Sequence, residues 1–265
     1  GTIANTELEA HLPAFNKSFD ALDIGWHWDE KTYIDLLKIN GGKNRISYYA
    51  KLKKQNFSPQ SISKIHLEKQ KHYLSLVKDG AVTLKEGVNR LINELKIRGV
   101  RQFIVTSSSR IQVNLLTDIL FGRGNPFEFF ISSEDVDHHK PHPLPYLKAI
   151  ALSGIKTSNS IVFEDSIPGV KSSLSAKIPT ICVQSNIPTS FDKDIPLKCL
   201  VSSIGDGKKN TEIIAGPSLN GNHINYEYLN RVLDYCWKMQ KTRFAGFYDS
   251  LNSVFLSFLK ASWKD

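Results

Sequence analysis

The sequence predicts an α/β protein: a doubly wound parallel sheet with a helical module inserted near its start. Three observations predict it. From about residue 83 onward, short apolar runs alternate with amphipathic stretches of about ten residues, the pattern of strand–helix–strand units. Between residues 11 and 82 no run reads as a strand, and apolar residues recur at helical spacing. The third observation is the stretch Ile161-Val162-Phe163-Glu164-Asp165-Ser166, followed by Pro168-Gly169. Three apolar residues run straight into two carboxylates, which reads as a buried parallel strand ending at a site, with a helix just beyond.

The elements follow in order. Residues 1–10 read as a strand-to-helix junction, with Thr6 and Glu7 opening a helix. Leu12, Phe15, Phe19 and Leu22 then recur at helical spacing. Tyr33, Ile34, Leu36 and Leu37 form a further apolar cluster, Gly41-Gly42 breaks the pattern, and Lys43 starts a new segment. Ser58-Pro59 opens a helix with Ile62, Ile65 and Leu76 on its apolar side. Helices are expected over 86–98 (closed by Gly99), 109–120, 143–153 and 168–176; strands over 102–106, 127–131, 160–163 and 180–183. The tail from about 222 predicts two amphipathic helices, one running from Tyr226 through Leu229 and Val232 to Trp237. The other carries an aromatic face at Phe247, Phe255 and Phe258. The expected organisation is an α/β core over 1–10 and 83–233, a helical module over 11–82, and a C-terminal helical extension over 234–265.

The net charge of +8 is concentrated. Residues 31–78 hold eleven Lys and Arg against Asp35 and Glu68 alone, a local +9. Such a field attracts anions, phosphorylated metabolites or nucleic acid, although a Lys-rich helical face is ordinarily just solvated surface. No nucleic-acid module and few base-stacking aromatics accompany it, so no nucleic-acid partner is expected. No run approaches the roughly 18 apolar residues of a membrane span, and no membrane partner is expected. Cys182, Cys199 and Cys236 are odd in number and far apart, which suits neither a disulfide framework nor a zinc site.

In an open α/β sheet, ligands gather at the carboxyl ends of the strands. One expected strand end carries Thr106-Ser107-Ser108-Ser109, a hydroxyl followed by backbone N–H groups at a helix start, which can cradle a phosphate. The next leads to Lys140-Pro141-His142-Pro143, a lysine held in place beside two prolines. The third is Glu164-Asp165, adjacent carboxylates that repel unless a cation joins them, and a hard ion such as Mg2+ suits oxygen donors of this kind. Asp165 or Ser166 acting only as a helix cap is the bland alternative. Hydroxyl, lysine and acidic pair, each after a strand, are together more specific than any one alone.

These residues resemble three of the four motifs of the haloacid dehalogenase-like superfamily: Thr106, Lys140 and Glu164-Asp165. The resemblance is nearer to the CbbY-like sugar-bisphosphate phosphatases, relatives of β-phosphoglucomutase. It is carried by Thr6-Glu7, His11, Ala14-Phe15-Asn16, Gly41-Gly42-Lys43 with Arg45, and the run from Glu164 to Val170. It covers about residues 1–233. It implies a Rossmann-like core with a helical cap and a Mg2+-dependent phosphatase working through an aspartyl-phosphate. The implied substrate is a small phosphorylated sugar, a pentose bisphosphate such as xylulose-1,5-bisphosphate. A phosphomutase and a catalytically dead sugar-phosphate binder are the alternatives. Thr106 and Lys140 would be catalytic, and Glu164 and Asp165 would hold the metal. Glu7, His11, Lys43, Arg45, Ser107 and Ser108 would bind substrate. The family's first motif is Asp-x-Asp-Gly-Thr, and this chain opens at Gly1-Thr2. The nucleophilic aspartate and the first sheet strand are therefore expected upstream of Gly1. Leu144 stands where relatives often have Asp, which removes a local contact that would orient Lys140. A monomer or homodimer is expected, in the cytoplasm, or in a plastid or other organelle if a targeting peptide precedes Gly1.

Overall fold

The computed structural model describes residues 1–39, 41–185, 195–208 and 210–238. The aromatic tail helix expected near 247–259 lies outside them. A short wide-turned helix, Glu7–His11, runs into α1 (Leu12–Ala21). Then come α2 (Glu30–Leu36), α3 (Gly42–Leu52) and α4 (Pro59–Lys78). Among the described residues no strand interrupts them. Local chemistry sets their starts. The Asp29 carboxylate accepts from Thr32 N at 2.7 Å to cap α2, and Ser58 accepts from Ser61 N at 3.1 Å to cap α4, with Pro59 in the first turn. These helices close on an aromatic core. Phe15, Phe19, Trp26, Trp28 and Tyr33 are buried together, with Phe19 and Trp28 edge to face at 4.9 Å between centroids.

The remainder alternates. It runs α5 (Val88–Ile97), β1 (Phe103–Val105), α6 (Arg110–Phe121), β2 (Phe129–Ile131), α7 (Leu144–Ser153), β3 (Val162–Glu164), α8 (Ile167–Ser175) and β4 (Thr180–Val183). β5 (Cys199–Val201), β6 (Ile213–Ala215) and a helix over 226–238, α9, complete the described residues. Each element expected from 86 to 183 is present, shifted by a residue or two at its ends. Helix α5 begins later than expected because Gly87 sits at φ +80°, and a Cβ there would lie 2.0 Å from the Gly205 carbonyl oxygen. β5 and β6 are not among the expected strands. The first tail helix packs on the body: Tyr228, Leu229, Val232 and Cys236 share one core with Ile181 and Val183 of β4 and Val201 of β5. The three cysteines are buried free thiols.

The strands form two sheets. β1 pairs in parallel with β2, Ile104 opposite Phe130. β3, β4 and β5 pair in parallel in that order, and β6 adds antiparallel at the edge. Among the described residues, β1 has β2 as its single strand partner and β3 has β4. Both border a cavity of about 740 Å³ whose walls include Val88, Leu91 and Leu95 of α5, Leu116 of α6 and Ala149 of α7. The two sheets therefore present β1 and β3 to one largely apolar slot. Unpaired edges with an apolar surround favour capture of a further strand.

Candidate active site

The carboxyl ends of β1 and β3 open at one end of this slot. Thr106, Ser107, Ser108, Lys140, Glu164 and Asp165 all line it, and so do Glu7 and His11 from the helical side. The parallel ladder extends one bond past β1, with Thr106 N donating to Ile131 O at 2.9 Å. The Thr106 hydroxyl then accepts from Ser108 N at 3.1 Å, which curls the Ser107-Ser108 backbone back over the strand end. Ser109 and Gln112 form a capping box that starts α6. A hydroxyl and a turn of N–H groups thus sit where an anion can be received.

Lys140 is buried. Its Nζ donates to Glu164 Oε1 at 2.5 Å and to the Val105 carbonyl at 2.9 Å. These two contacts supply the orientation that Leu144 does not. The buried Tyr146 hydroxyl also donates to Glu164 Oε1. Burial, with the adjacent Glu164 charge, pushes the Tyr146 phenol well above its ordinary pKa. Tyr146 therefore stays a donor at any working pH.

The sequence suggested one cation between Glu164 and Asp165. The structure sends the two side chains to different partners, as alternation along a strand requires. Glu164 is buried against Lys140, Tyr146 and Ser166. Asp165 is half-buried and accepts from the Thr2 hydroxyl at 2.7 Å. Burial alone would raise the Asp165 carboxyl. Lys85, the Thr2 hydroxyl and Lys140 act to lower it. Asp165 is thus an ionised oxygen donor at the mouth of the slot, which fits a hard divalent ion. Glu164 fits one less directly, since its oxygens are committed. No cluster of three or more His, Cys, Asp or Glu forms among the described residues.

The run from Glu164 to Val170 has a steric logic. Ser166 accepts from Gly169 N at 3.2 Å to cap α8, and Pro168 sits in its first turn. A Cβ on Gly169 would lie 2.0 Å from Glu164 Oε2. Gly169→Ala is therefore expected to displace the Glu164 carboxylate and destabilise the fold by about 1–3 kcal/mol, the usual range for overpacking. Urea unfolding would check this, with Gly154→Ala as contrast, since that glycine has nothing within 4 Å and bears only the strain of φ +67°.

On the helical side, Gly41 lies at φ +88°, and a Cβ on Gly42 would come 2.8 Å from the His66 ring. The Gly-Gly pair is thus required by backbone conformation and close approach. Lys43 is exposed, and Arg45 is half-buried with Nε on the Ile39 carbonyl at 2.9 Å and its guanidinium over Tyr33. Neither lines the slot. Glu7 accepts from the Tyr33 hydroxyl at 2.5 Å.

Three residues at this site escape sequence reasoning: Thr2, Tyr146 and Lys69. Lys69 falls within the Lys-rich stretch whose ordinary place is solvated surface, yet it is buried, 2.6 Å from His11 Nδ1. A signal for this is present, since Ile65, Lys69, Tyr73 and Val77 recur every four residues on the buried stripe of α4.

Comparison with known proteins places the chain. A family model described as haloacid dehalogenase-like hydrolase matches residues 1–183. The chain belongs to this family. Within the haloacid dehalogenase-like hydrolases it is 33% identical over 194 residues to Protein CbbY of Rhodobacter capsulatus, covering 72% of this chain and 85% of that protein. It is 32% identical over 183 residues to Protein CbbY of Cereibacter sphaeroides, covering 68% and 79%. The crystal structure of CbbY from Rhodobacter sphaeroides in complex with phosphate superposes with TM-score 0.69 at 30% identity, over 77% of this chain and 90% of that one. A mutant of that protein, solved in complex with xylulose-1,5-bisphosphate, gives TM-score 0.68. A β-phosphoglucomutase from Clostridium difficile, at 19% identity and TM-score 0.65, shares the fold.

Proposed function

We propose that this haloacid dehalogenase-like hydrolase is a Mg2+-dependent phosphatase of a small phosphorylated sugar, a pentose bisphosphate such as xylulose-1,5-bisphosphate. The observation that carries the reading is the convergence of Thr106, Lys140 and Asp165 at one mouth of the slot. A relative crystallised with that bisphosphate supports the substrate class. The nucleophile in this reading is an aspartate on an extended segment upstream of Gly1. It lies between β1 and β3, where both edges can pair and its carboxyl end meets Asp165. Attack on phosphorus gives an aspartyl-phosphate, and a second aspartate two residues on protonates the leaving sugar hydroxyl and then activates water.

Thr106 and the Ser107 backbone receive the transferring oxygens, with Ser108 beside them, and Lys140 holds positive charge there as their charge grows. Asp165, with Glu164 behind it, would hold Mg2+, which when bound offsets repulsion between phosphate and carboxylates. Glu7 accepts from a sugar hydroxyl while Tyr33 holds it in place. Lys43 and Arg45 bring their charge to the distal phosphate when the helical module closes over substrate.

The test is phosphate release from xylulose-1,5-bisphosphate by the full native protein, with Mg2+ and then with EDTA. Metal-dependent release is expected. Thermal stabilisation by the bisphosphate without release would overturn the phosphatase and support a binding protein. In the active enzyme, Lys43→Ala is expected to lower kcat/KM about tenfold or more for the bisphosphate and about twofold or less for a small aryl phosphate, a charge-assisted contact being worth about 1.5–3 kcal/mol. Equal losses on both substrates would mean that Lys43 does not read the distal phosphate.

A further inference from the structure

His11 lines the slot, and its surroundings fix which face it can offer. One face of the ring stacks on Tyr73, centroids 4.3 Å apart and planes within 14°. Its Nδ1 lies 2.6 Å from Lys69 Nζ. Lys69 is itself held: it is 4% exposed, with its ammonium over the rings of Phe15 at 5.2 Å and Tyr73 at 4.9 Å. An ammonium has three donors and no acceptor. Beside it, Nδ1 must accept, and the imidazole proton must sit on Nε2.

We infer that Lys69 is a positioning residue that locks His11 in the Nε2–H tautomer, so that the slot is presented with a hydrogen-bond donor. The inference rests on the proposed phosphatase reading only for what the donor meets there. Glu7, next to His11 on the same turn, is acceptor-only. The pair then reads an oxygen ligand from both sides: His11 donates to a phosphate or hydroxyl oxygen, and Glu7 accepts from a hydroxyl. A His11 free to choose its tautomer would spend part of its time offering a lone pair to an anion, which repels it.

The charges around this pair support the lock. Burial, then Lys69, with Arg45 and His66 beyond it, hold the His11 pKa well below its ordinary value, so the neutral ring is favoured. Burial lowers Lys69 to about 7, against which Glu7 raises it and Arg45 lowers it further. The groups facing Lys69 are therefore Glu7 and His11 from the first turn, Arg45 from α3, and His66 and Tyr73 on α4 itself, with Tyr33 of α2 held on Glu7. The lock is set while Lys69 is protonated. It loosens above about pH 7, where a neutral amine can also accept from Nδ1–H.

The experiment is long-range 1H–15N correlation of the imidazoles in the 15N-labelled full chain at about pH 6, below the Lys69 value, with His11 assigned by its loss in His11→Gln. Wild type is expected to show His11 with Nδ1 unprotonated and Nε2 protonated. Lys69→Met should shift it to a mixture of tautomers, and Lys69→Arg, which restores a donor, should recover the wild-type signature. A proton on Nδ1 in wild type overturns the inference without any variant, and so does an unchanged tautomer in a folded Lys69→Met. No turnover is needed, so failure of the phosphatase reading leaves this result standing. Where turnover is measurable, Lys69→Met should raise KM for the bisphosphate about tenfold with kcat nearly unchanged. A shifted tautomer with an unmoved KM would keep the lock and overturn His11 as a substrate contact.

Discussion

Asp165→Asn is expected to reduce metal-dependent phosphate release by about 10²–10³-fold, since a single electrostatic group aimed at developing charge commonly contributes that much. The substitution keeps the shape of the side chain. The new amide's carbonyl oxygen can still accept from the Thr2 hydroxyl, which in the wild type reaches Asp165 Oδ1 at 2.7 Å, so the strand end should hold. What disappears is the negative charge that a hard cation needs. The variant should therefore also lose any upward shift in thermal midpoint that Mg2+ gives the wild type.

The same substitution carries a pH signature. Lys85, the Thr2 hydroxyl and Lys140 act to hold the Asp165 carboxyl below its ordinary value in the folded protein. A depressed carboxylate contributes stability above its unfolded pKa and loses that contribution as pH falls through the folded pKa. Wild type should thus exceed Asp165→Asn in urea midpoint at neutral pH, and the two should converge in acid below the ordinary carboxylate range. Two arms then separate metal ligation from fold support. Retained Mg2+-dependent turnover would remove Asp165 from the metal site. A stability gap unchanged down to acid would mean that the charge of Asp165 is not what the fold uses.

The divergence of Glu164 and Asp165 shows where sequence reasoning reaches and where it stops. The strand, its end and both carboxylates are legible because a parallel strand is buried on both faces, so acids can enter its run only where it leaves the core. Which acid meets which cation is not, because it depends on Lys140 and Tyr146, 24 and 18 residues away. The two-residue period of a strand does predict that neighbours diverge. β4 is placed to the residue by its buried run Thr180-Ile181-Cys182-Val183. β5 and β6 are no shorter than β1, β2 and β3, but among the described residues no helix separates them from the strand before, so the strand–helix alternation that marks the others is missing, and each exists through pairing with its neighbour in the sheet. Lys69 escapes for a different reason. Lysine is rarely buried, so composition points to solvent, while its place between Ile65 and Tyr73 points to the core. At functional sites position on a face is the better guide, because such sites hold the polar groups that folding alone would exclude.

Lys140→Met should separate stability from catalysis. It leaves the buried Glu164 carboxylate facing Tyr146 and Ser166 without its cation. Removing one partner of a buried ion pair typically costs about 3–5 kcal/mol, because a charge remains without compensation. The urea midpoint should fall accordingly. Adding Glu164→Gln should recover most of that loss, since no buried charge is then left unpaired and the amide can still accept from Tyr146. Catalysis should not follow. If Lys140 neutralises the oxygens of a transferring phosphoryl group, both the single and the double variant should be down by about 10²–10³-fold in kcat. Recovery of turnover alongside stability in the double variant would make Lys140 a structural partner of Glu164. Recovery of stability alone, with Glu164→Gln by itself still turning over, leaves the charge of Lys140 acting on the substrate, the role that the mouth of the slot between β1 and β3 requires of it.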